Sequence, residues 1–254
     1  MTKENKKIKI NNFYISYNLK KRNQNGPKLS VVFLNGFRSD MNGKKAKFID
    51  LLRKKIGFEY LRFDYSGHGI SEGNIDTQTI SSWVNESKYL IENKTNYSTI
   101  LIGSSMGGWI SLILGTQLKK KITGIIGISV AADFTKFILE RLTSKQKAFY
   151  KKNNYLAVAS EYSNKKYIFT KKFFKDGKSN FILKKNNPIK ARLYLLYGTK
   201  DSSVDLNVQL QILKKIKTKE TKLFISKGSD HRMSSKEDLD MLKTLLLKMI
   251  KYNL

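Results

Sequence analysis

The sequence predicts an α/β fold: a mostly parallel β-sheet with helices on both faces and one inserted subdomain. Two observations lead to this prediction. Short apolar runs such as 29–34 and 122–130 are nearly continuous in Val, Ile, Leu and Phe, which is typical of parallel strands buried on both faces. Segments with helical spacing separate these runs, and strands that alternate with helices form parallel sheets covered on both sides.

The elements follow in order along the chain. Residues 7–17 alternate apolar and polar around Asn11-Asn12, which predicts an antiparallel hairpin. We predict further strands at 29–34, 58–64, 100–102, 122–130, 192–197 and 221–225. We predict helices at 43–56, at 79–93, from 106, at 206–216 and from 235 onward. The apolar face predicted for the helix at 43–56 contains Phe48, Leu51, Leu52 and Ile56.

The composition fits one domain and argues against metal or disulfide chemistry. The chain has 254 residues, of which 40% are hydrophobic and 27% are charged, and these are ordinary values for a folded domain. It has no cysteine and two histidines, which excludes disulfides, thiolate nucleophiles and cysteine zinc sites. We therefore expect neither a metal nor a cofactor.

The net charge of +29 is the most unusual compositional value. A basic surface suits nucleic acid, anionic lipid or acidic substrates. The lysines are, however, spread over nearly every segment together with abundant Asn and Ile, as an AT-rich coding sequence would produce. Because no recognisable nucleic-acid module is present, we predict no nucleic-acid partner, and weak association with anionic membranes stays open.

The first residues and the hydropathy pattern predict a cytoplasmic protein. Residues 1–7 contain no apolar segment of a signal peptide and are not the Arg- and Ser-rich helix of a transit peptide. No apolar run approaches the roughly 20 residues that span a membrane. We therefore expect no transmembrane segment.

The segment 134–187 interrupts the alternation of strands and helices. It begins as an amphipathic helix and contains Phe173-Phe174 among many lysines. A structureless loop of this length is unusual inside a compact domain, so we predict a lid at 134–187, inserted between the core segments 1–133 and 188–254. Its aromatic residues either shape an apolar pocket with a rim that attracts anionic groups, or form a small core of the lid itself.

The stretch 100–109 contains the pattern from which a function can be inferred. A short apolar run ends in Gly103-Ser-Ser105-Met-Gly107, and an apolar helical segment follows. A strand, a sharp turn and a helix in this order lift Ser105 away from the backbone, and the glycines remove side chains that would clash. Ser105 is therefore a candidate nucleophile. The pattern alone also fits a glycine-rich turn with a helix-capping serine.

A nucleophilic serine needs a base and an acid that orients the base, and in this architecture they follow in the order Ser, Asp or Glu, His. His231 lies after the last predicted strand, at the carboxyl edge of the sheet where active sites of open α/β folds collect. Asp201 follows the penultimate strand, at the same edge. We predict Ser105, Asp201 and His231 as the catalytic residues.

Three other carboxylates compete with Asp201 for the role of the orienting acid. Asp133, which follows a buried strand, is the serious alternative. Asp205 belongs to the start of the next helix, and Asp230 adjoins His231 too closely in sequence to orient its ring.

Two titratable residues precede the serine in a glycine-rich turn. We predict that His68 is a structural residue of this turn. We predict that Asp64 accepts hydrogen bonds from backbone N–H groups of its own loop.

Two backbone N–H groups are expected where a developing oxyanion would sit. One belongs to Met106, at the head of the helix that follows Ser105. The other should come from the loop after an early strand, here Asn35-Gly36-Phe37, where the glycine lets the backbone turn. We predict Phe37 and Met106 as the oxyanion-hole donors.

These motifs together resemble the α/β-hydrolase superfamily over nearly the whole chain. Four segments in register are similar, more closely, to the mitochondrial palmitoyl-protein thioesterase and acyl-glucuronide esterase branch of abhydrolase-domain serine hydrolases and to its bacterial relatives. These segments are 35–43, 62–67, 103–109 and 229–233. One departure is Asn35, because that branch has proline before the glycine.

The resemblance implies an α/β-hydrolase fold and a serine hydrolase that cleaves acyl thioesters or esters, with Ser105, Asp201 and His231 as its triad. The implied partner is a small-molecule or protein-linked acyl substrate. Dehalogenases and epoxide hydrolases of this fold use aspartate where this chain has Ser105. A non-catalytic binding protein with the same fold, a cofactor-free perhydrolase or haloperoxidase, and a polyanion-associated protein stay open as alternatives.

Overall fold

The computed structural model describes residues 5–158, 166–184 and 188–253. The strands are β1 (Lys6–Ile10), β2 (Phe13–Lys20), β3 (Leu29–Leu34), β4 (Glu59–Phe63), β5 (Ser98–Ser104), β6 (Ile122–Ile128), β7 (Tyr155–Val158), β8 (Tyr167–Thr170), β9 (Arg192–Gly198) and β10 (Thr221–Ser226). The helices are α1 (Lys44–Ile56), α2 (Ile80–Lys94), α3 (Met106–Gln117), α4 (Phe134–Glu140), α5 (Ser144–Asn153), α6 (Lys171–Ser179), α7 (Leu206–Lys215) and α8 (Lys236–Lys251), with a 3₁₀ turn at Ile75–Thr77.

Eight strands form one sheet in the order β1-β2-β4-β3-β5-β6-β9-β10, and β7 and β8 form a separate pair. The six strands β4-β3-β5-β6-β9-β10 pair in parallel with their neighbours. At one edge, β1 and β2 form an antiparallel hairpin, and β2 also pairs antiparallel with β4. The predicted mostly parallel α/β fold and the predicted hairpin are therefore confirmed.

The sheet separates two apolar clusters because successive side chains of a strand point to opposite faces. In β3, Val31 and Phe33 lie in the cluster shared with α1 and α8, whereas Val32 and Leu34 lie in the cluster shared with α2 and α3. Both faces of the central strands are thus buried, which explains their nearly continuous apolar sequence.

The predicted apolar face of α1 is wrong at one position. Leu51 is 56% exposed, and the buried stripe consists instead of Ala46, Ile49 and Leu52. These three residues recur at a spacing of three and face the sheet and α8. Phe48 and Ile56, which were also predicted, are partly buried against the same cluster. Leu51 lies about 100° around the helix from Leu52, which places its side chain outside the buried face.

The chain between β6 and β9 forms α4, α5, the β7–β8 pair and α6. Its end is fixed by Asp133, whose two carboxylate oxygens accept the N–H groups of Ile182 at 2.8 Å and Leu183 at 3.1 Å. In α6, Asp176 accepts the N–H of Ser81 in the first turn of α2 at 2.9 Å. These contacts attach the segment to the turn after β6 and to the first turn of α2.

The aromatic residues of this segment do not form a separate small core. Phe169, Phe173, Phe174 and Phe181 are buried in the same cluster as the α2 and α3 side of the sheet. The division into a core and a lid at 134–187 stays a prediction, and its parts at 159–165 and 185–187 lie outside the described residues. Within the described ranges, none of the helices has the length and apolar character needed to cross a bilayer.

Glu86 is a buried acid of α2 whose carboxylate accepts the N–H of Ser66 at 2.9 Å. Burial raises the pKa of Glu86 from 4.5 to about 7. The folded state therefore binds a proton on Glu86 more tightly than the unfolded state does. The contribution of this proton to the free energy of unfolding is complete below about pH 4.5 and is lost as the pH rises to 7.

We expect Glu86→Gln to raise the free energy of unfolding at pH 8 by about 1–3 kcal/mol, because the neutral amide needs no desolvation of a charge. Urea unfolding at pH 5 and pH 8 measures the effect, which should nearly vanish at pH 5. Glu92→Gln, at an exposed position of the same helix, is the matched control and should be neutral. A Glu86→Gln protein that is less stable than the wild type at both pH values would contradict the prediction.

Candidate active site

The predicted site residues meet at the carboxyl ends of neighbouring parallel strands. Ser105 directly follows β5, Asp201 follows β9 and His231 follows β10. The loop with Phe37 follows β3, which is the sheet neighbour of β5. Since the carboxyl ends of parallel strands share one edge of the sheet, residues that are 126 positions apart in the chain come into contact.

Ser105 sits in a sharp turn with φ 53° and ψ −116°, a conformation that is costly for a residue with a side chain. The turn is held by its backbone: the N–H of Ser105 donates to Ile128 at 2.8 Å, and its carbonyl accepts the N–H of Ala131 at 3.2 Å. The Ser105 side chain makes no capping hydrogen bond to α3. The alternative of a helix-capping serine therefore does not describe this residue.

A continuous hydrogen-bonded chain joins Ser105, His231 and Asp201. The Nε2 atom of His231 lies 3.1 Å from the Oγ atom of Ser105. The Nδ1 atom of His231 lies 2.8 Å from Oδ2 and 2.9 Å from Oδ1 of Asp201. The structure thus brings together the three residues that were predicted, with Asp201 fully buried beneath the imidazole.

The electrostatics of Asp201 define the tautomer of the imidazole. Burial by itself would raise the pKa of Asp201. The hydrogen bond and charge of His231 and the N–H of Val204 have a larger, opposite effect, so the pKa of Asp201 is lowered. Oδ1 also accepts N–H groups from Ser203 at 3.0 Å and Val204 at 2.9 Å. An ionised carboxylate only accepts hydrogen bonds, so Nδ1 of His231 carries the proton and Nε2 is free to accept one from Ser105.

The loop after β3 approaches the serine closely. A Cβ atom at Gly36 would lie 3.4 Å from the Cβ atom of Ser105. The loop closes as a turn in which the N–H of Ser39 donates to Gly36 at 3.1 Å, and Nδ2 of Asn35 donates to the carbonyl of Ser39 at 2.8 Å. Asn35 is fully buried. At the position where the resembling branch has proline, this chain therefore has a side chain that holds the turn through a hydrogen bond.

The two residues predicted as oxyanion donors line the same cavity as the serine. Met106 is the first residue of α3, and the first N–H groups of a helix have no acceptor within the helix. Phe37 and Met106 both line the cavity that also contains Ser105 and His231. The oxyanion roles of Phe37 and Met106 stay predictions.

The cavity has a volume of about 720 Å³ and two chemically different sides. One side, beneath the segment that follows β6, is mainly apolar and is lined by Phe134, Phe137, Ile138, Arg141, Val158, Tyr167 and Phe169. The other side, between α1 and the His231 loop, includes Ser39, Asp40, Lys45, Arg232 and Ser234. Of the two roles left open for the segment's aromatic residues, the structure thus supports the lining of an apolar pocket.

A family model described as "Serine aminopeptidase, S33" matches residues 25–172, which is more than half of the chain. The chain belongs to this family of α/β-hydrolases. It is 30% identical over 226 residues to the human "Palmitoyl-protein thioesterase ABHD10, mitochondrial", covering 89% of this chain and 74% of that protein.

Solved structures of hydrolases have nearly the same fold. A putative hydrolase from Agrobacterium vitis S4 is 32% identical, with a TM-score of 0.90 and coverage of 97% of this chain and 98% of that chain. The mouse alpha/beta hydrolase domain-containing protein 10 is 25% identical, with a TM-score of 0.89 and coverage of 98% and 99%. The expected resemblance is therefore confirmed. The human relative is named as mitochondrial, and the cytoplasmic location expected for this hydrolase stays a prediction.

The competing carboxylates of this hydrolase have other partners. Asp133 binds the N–H groups of Ile182 and Leu183, as described above. Asp205 caps α7, and Asp230 accepts backbone N–H groups from the residues that follow it in the same loop. Among the described carboxylates, only Asp201 is hydrogen-bonded to His231.

His68 is a buried histidine within an aromatic cluster. Its ring contacts the rings of Phe37, Tyr65 and Trp83 at centroid distances of 6.1, 5.4 and 5.1 Å. Nδ1 lies 3.3 Å from the carbonyl of Ser66. Burial lowers the pKa of His68 to about 4, so the ring is neutral at pH 7. The predicted structural role is confirmed by these contacts.

Asp64 is confirmed as a structural acceptor. Its two oxygens accept the N–H groups of Met41 at 2.6 Å and Ile70 at 3.0 Å. Burial raises the pKa of Asp64 to about 6. The carboxylate thus joins the loop after β4 to the loop after β3.

Two side-chain contacts near the site were not predicted from the sequence. Asn35 clamps the turn that contains Phe37, and Lys45 contacts the loop of His231. The Asn-Gly dipeptide is a turn signal that the sequence does offer. Nothing in the sequence signals the contact of Lys45, because its partner lies 187 residues further along the chain.

Proposed function

We propose that this chain is a serine hydrolase that cleaves acyl thioesters or carboxylic esters through an acyl-enzyme. The observation that supports this most directly is the 3.1 Å contact between Nε2 of His231 and Oγ of Ser105, with Nδ1 of the same ring bound to a buried Asp201. This arrangement has the connectivity of a nucleophile, a general base and an orienting acid.

In the proposed reaction, Oγ of Ser105 attacks the acyl carbonyl carbon while Nε2 of His231 takes its proton. The carbonyl oxygen becomes an oxyanion, and the N–H groups of Phe37 and Met106 donate to it, each contributing about 3 kcal/mol to the lowering of the barrier. Asp201 stabilises the imidazolium that forms. The bond from the carbonyl carbon to sulfur or oxygen then breaks, and the leaving thiol or alcohol takes the proton from His231.

The second half of the reaction uses the same groups in reverse. Nε2 of His231 takes a proton from a water molecule as that water attacks the acyl carbon bound to Ser105. The second tetrahedral intermediate collapses, the proton passes to Oγ of Ser105, and the carboxylic acid leaves. No metal or cofactor takes part in this scheme.

The substrate class is proposed from two features. The apolar side of the cavity offers aromatic and aliphatic contacts to an acyl chain, and a relative that is 30% identical is named as a palmitoyl-protein thioesterase. We propose a thioesterase-like enzyme with an acyl group on the apolar side and the leaving group on the polar side. Hydrolysis rates for an S-acyl peptide, acyl-CoA, an acyl glucuronide and p-nitrophenyl esters, each with short and long chains, would rank these substrates.

The nucleophile can be tested by covalent labelling with a fluorophosphonate. We expect the wild-type protein to be labelled at Ser105, Ser105→Ala to lose the label, and the neighbouring Ser104→Ala to keep it, because only the Ser105 hydroxyl is bound to His231. Mass spectrometry of the labelled peptide measures all three. A wild-type protein without label, or a labelled Ser105→Ala protein that hydrolyses p-nitrophenyl esters at the wild-type rate, would contradict the proposed mechanism. The former would favour a non-catalytic binding protein.

A further inference from the structure

Lys45 lies in the first turn of α1 and lines the polar side of the cavity. Its Nζ atom donates a hydrogen bond to the backbone carbonyl of Arg232, the residue next to His231, and lies 3.5 Å from Oγ of Ser234. Since Lys45 follows the loop with Phe37, the contact joins the oxyanion side of the site to the histidine side.

This lysine is not held by an ion pair. Within the described residues, no carboxylate lies within ion-pair distance of its ammonium group, and its hydrogen-bond partners are the Arg232 carbonyl and Ser234. A partly buried ammonium without a carboxylate partner is costly. The contact is therefore a charge-assisted hydrogen bond to the backbone, which is stronger than a bond between neutral groups.

The loop of His231 is also held by other contacts: the imidazole binds Asp201, and the carbonyl of Ser229 accepts the N–H of Lys200 at 2.9 Å. Asp230 accepts the N–H groups of Arg232 at 3.0 Å and Met233 at 3.1 Å, which fixes the bend of the loop. Met233 is buried in the apolar cluster of α1 and α8, and its φ of 43° is unfavourable for a residue with a side chain. Lys45 adds to these a contact from another element, α1, directly beside His231.

We propose that Lys45 is a positioning residue that holds the backbone beside His231, so that Nε2 stays within hydrogen-bond distance of Oγ of Ser105. The proposal rests on the proposed function, because it assigns to Lys45 a role in orienting the base. Lys45 acts through the loop and does not take part in the chemistry.

Because Lys45 is a titratable group, its hydrogen bond to the Arg232 carbonyl should depend on pH. Burial lowers the pKa of Lys45 to about 8, against the opposing effect of Asp230 and Asp238 and with a smaller effect of Arg232 in the same direction. These three are the charged groups that face it from the His231 loop and from α8. Above pH 8 the neutral amine donates a weaker hydrogen bond to the carbonyl, so we expect kcat to decline there.

We expect Lys45→Met to lower kcat for a neutral p-nitrophenyl ester by about 10- to 100-fold, since a displacement of about 1 Å costs about 10²-fold in rate. KM for this ester should stay within about twofold, because a positioning residue does not touch the substrate. Lys45→Arg should restore most of kcat and move the alkaline decline upward, because the guanidinium stays charged. Lys47→Met, at an exposed position of α1, is the matched control and should behave as the wild type.

The rate of fluorophosphonate labelling provides a second measurement, which also applies to a variant with low turnover. It should fall in parallel with kcat for Lys45→Met and recover in Lys45→Arg, with thermal unfolding showing that both proteins are folded. Wild-type kcat in Lys45→Met would overturn the proposal, as would a change confined to KM of anionic substrates, which would make Lys45 a substrate-binding residue. If Ser105→Ala has lost activity while Lys45→Met keeps it, the proposed function stands and only the positioning role fails.

Discussion

Asp201→Asn is expected to lower kcat by about 10⁴-fold, because it reverses the tautomer of the His231 imidazole, the proposed base. The N–H groups of Ser203 and Val204 bind Oδ1 of Asp201, so the carbonyl oxygen of asparagine will occupy that position. The amide NH₂ group will then face Nδ1 of His231, which has to become an acceptor. Nε2 will carry the proton and cannot receive the one from Ser105.

Steady-state kinetics with a p-nitrophenyl ester measures this effect. Asp205→Asn is the matched control: this residue caps α7 through its side chain, and asparagine caps helices as well as aspartate does. We expect Asp205→Asn to keep kcat within about twofold of the wild type, since removal of its charge leaves the hydrogen-bonded chain intact. An Asp201→Asn protein within tenfold of the wild type would show that another acid, such as Asp133, orients the base.

Gly107→Ala is expected to prevent the native turn at Ser105 from forming. A Cβ atom at this position would lie 2.1 Å from the carbonyl oxygen of Leu34 and 2.7 Å from that of Asn35. Both atoms belong to the backbone at the end of β3, so relief of the clash requires movement of a central strand. We expect a loss of at least about 3 kcal/mol in the free energy of unfolding, in the range of severe overpacking.

Soluble yield and urea unfolding measure this loss, and fluorophosphonate labelling reports on the turn itself. Gly43→Ala is the control, because its Cβ atom would have its nearest neighbour at 3.6 Å, and an alanine at this helix start costs less than about 1 kcal/mol. A Gly107→Ala protein with wild-type stability and labelling would mean that β3 and the turn are further apart than described.

Much of the fold was predictable because local sequence and global packing agree. The apolar runs at β3 and β6 are buried on both faces, and this double burial is what makes them continuous in sequence. The assigned face of α1 was wrong at Leu51, which is 56% exposed. Helical periodicity alone does not distinguish neighbouring stripes when one of them contains a small residue such as Ala46.

The residues of the candidate site were predictable from chain order and residue scarcity. Ser105 lies in a Gly-x-Ser-x-Gly turn, and two histidines in the whole chain leave His231 as the one that follows it. The sequence favoured Asp201 but left Asp133 as an alternative, because both follow strands that end at the same edge. The structure separates them by their partners: Asp201 binds His231, whereas Asp133 binds the backbone at Ile182.

The sequence by itself determined the α/β class, the order of its elements and Ser105 and His231 as candidates for the nucleophile and base, because these depend on local periodicity and on which residue types are present. Only the tertiary structure decided which aspartate meets His231, that Asn35 clamps the oxyanion turn and that Lys45 contacts the histidine loop. The physical reason is that the contacts of Asp201 and Lys45 depend on where the sheet brings distant loops together, and the contact of Asn35 with Ser39 depends on the bend of its own turn. Every residue has a backbone carbonyl, so the sequence does not indicate which carbonyl accepts a given side-chain hydrogen bond.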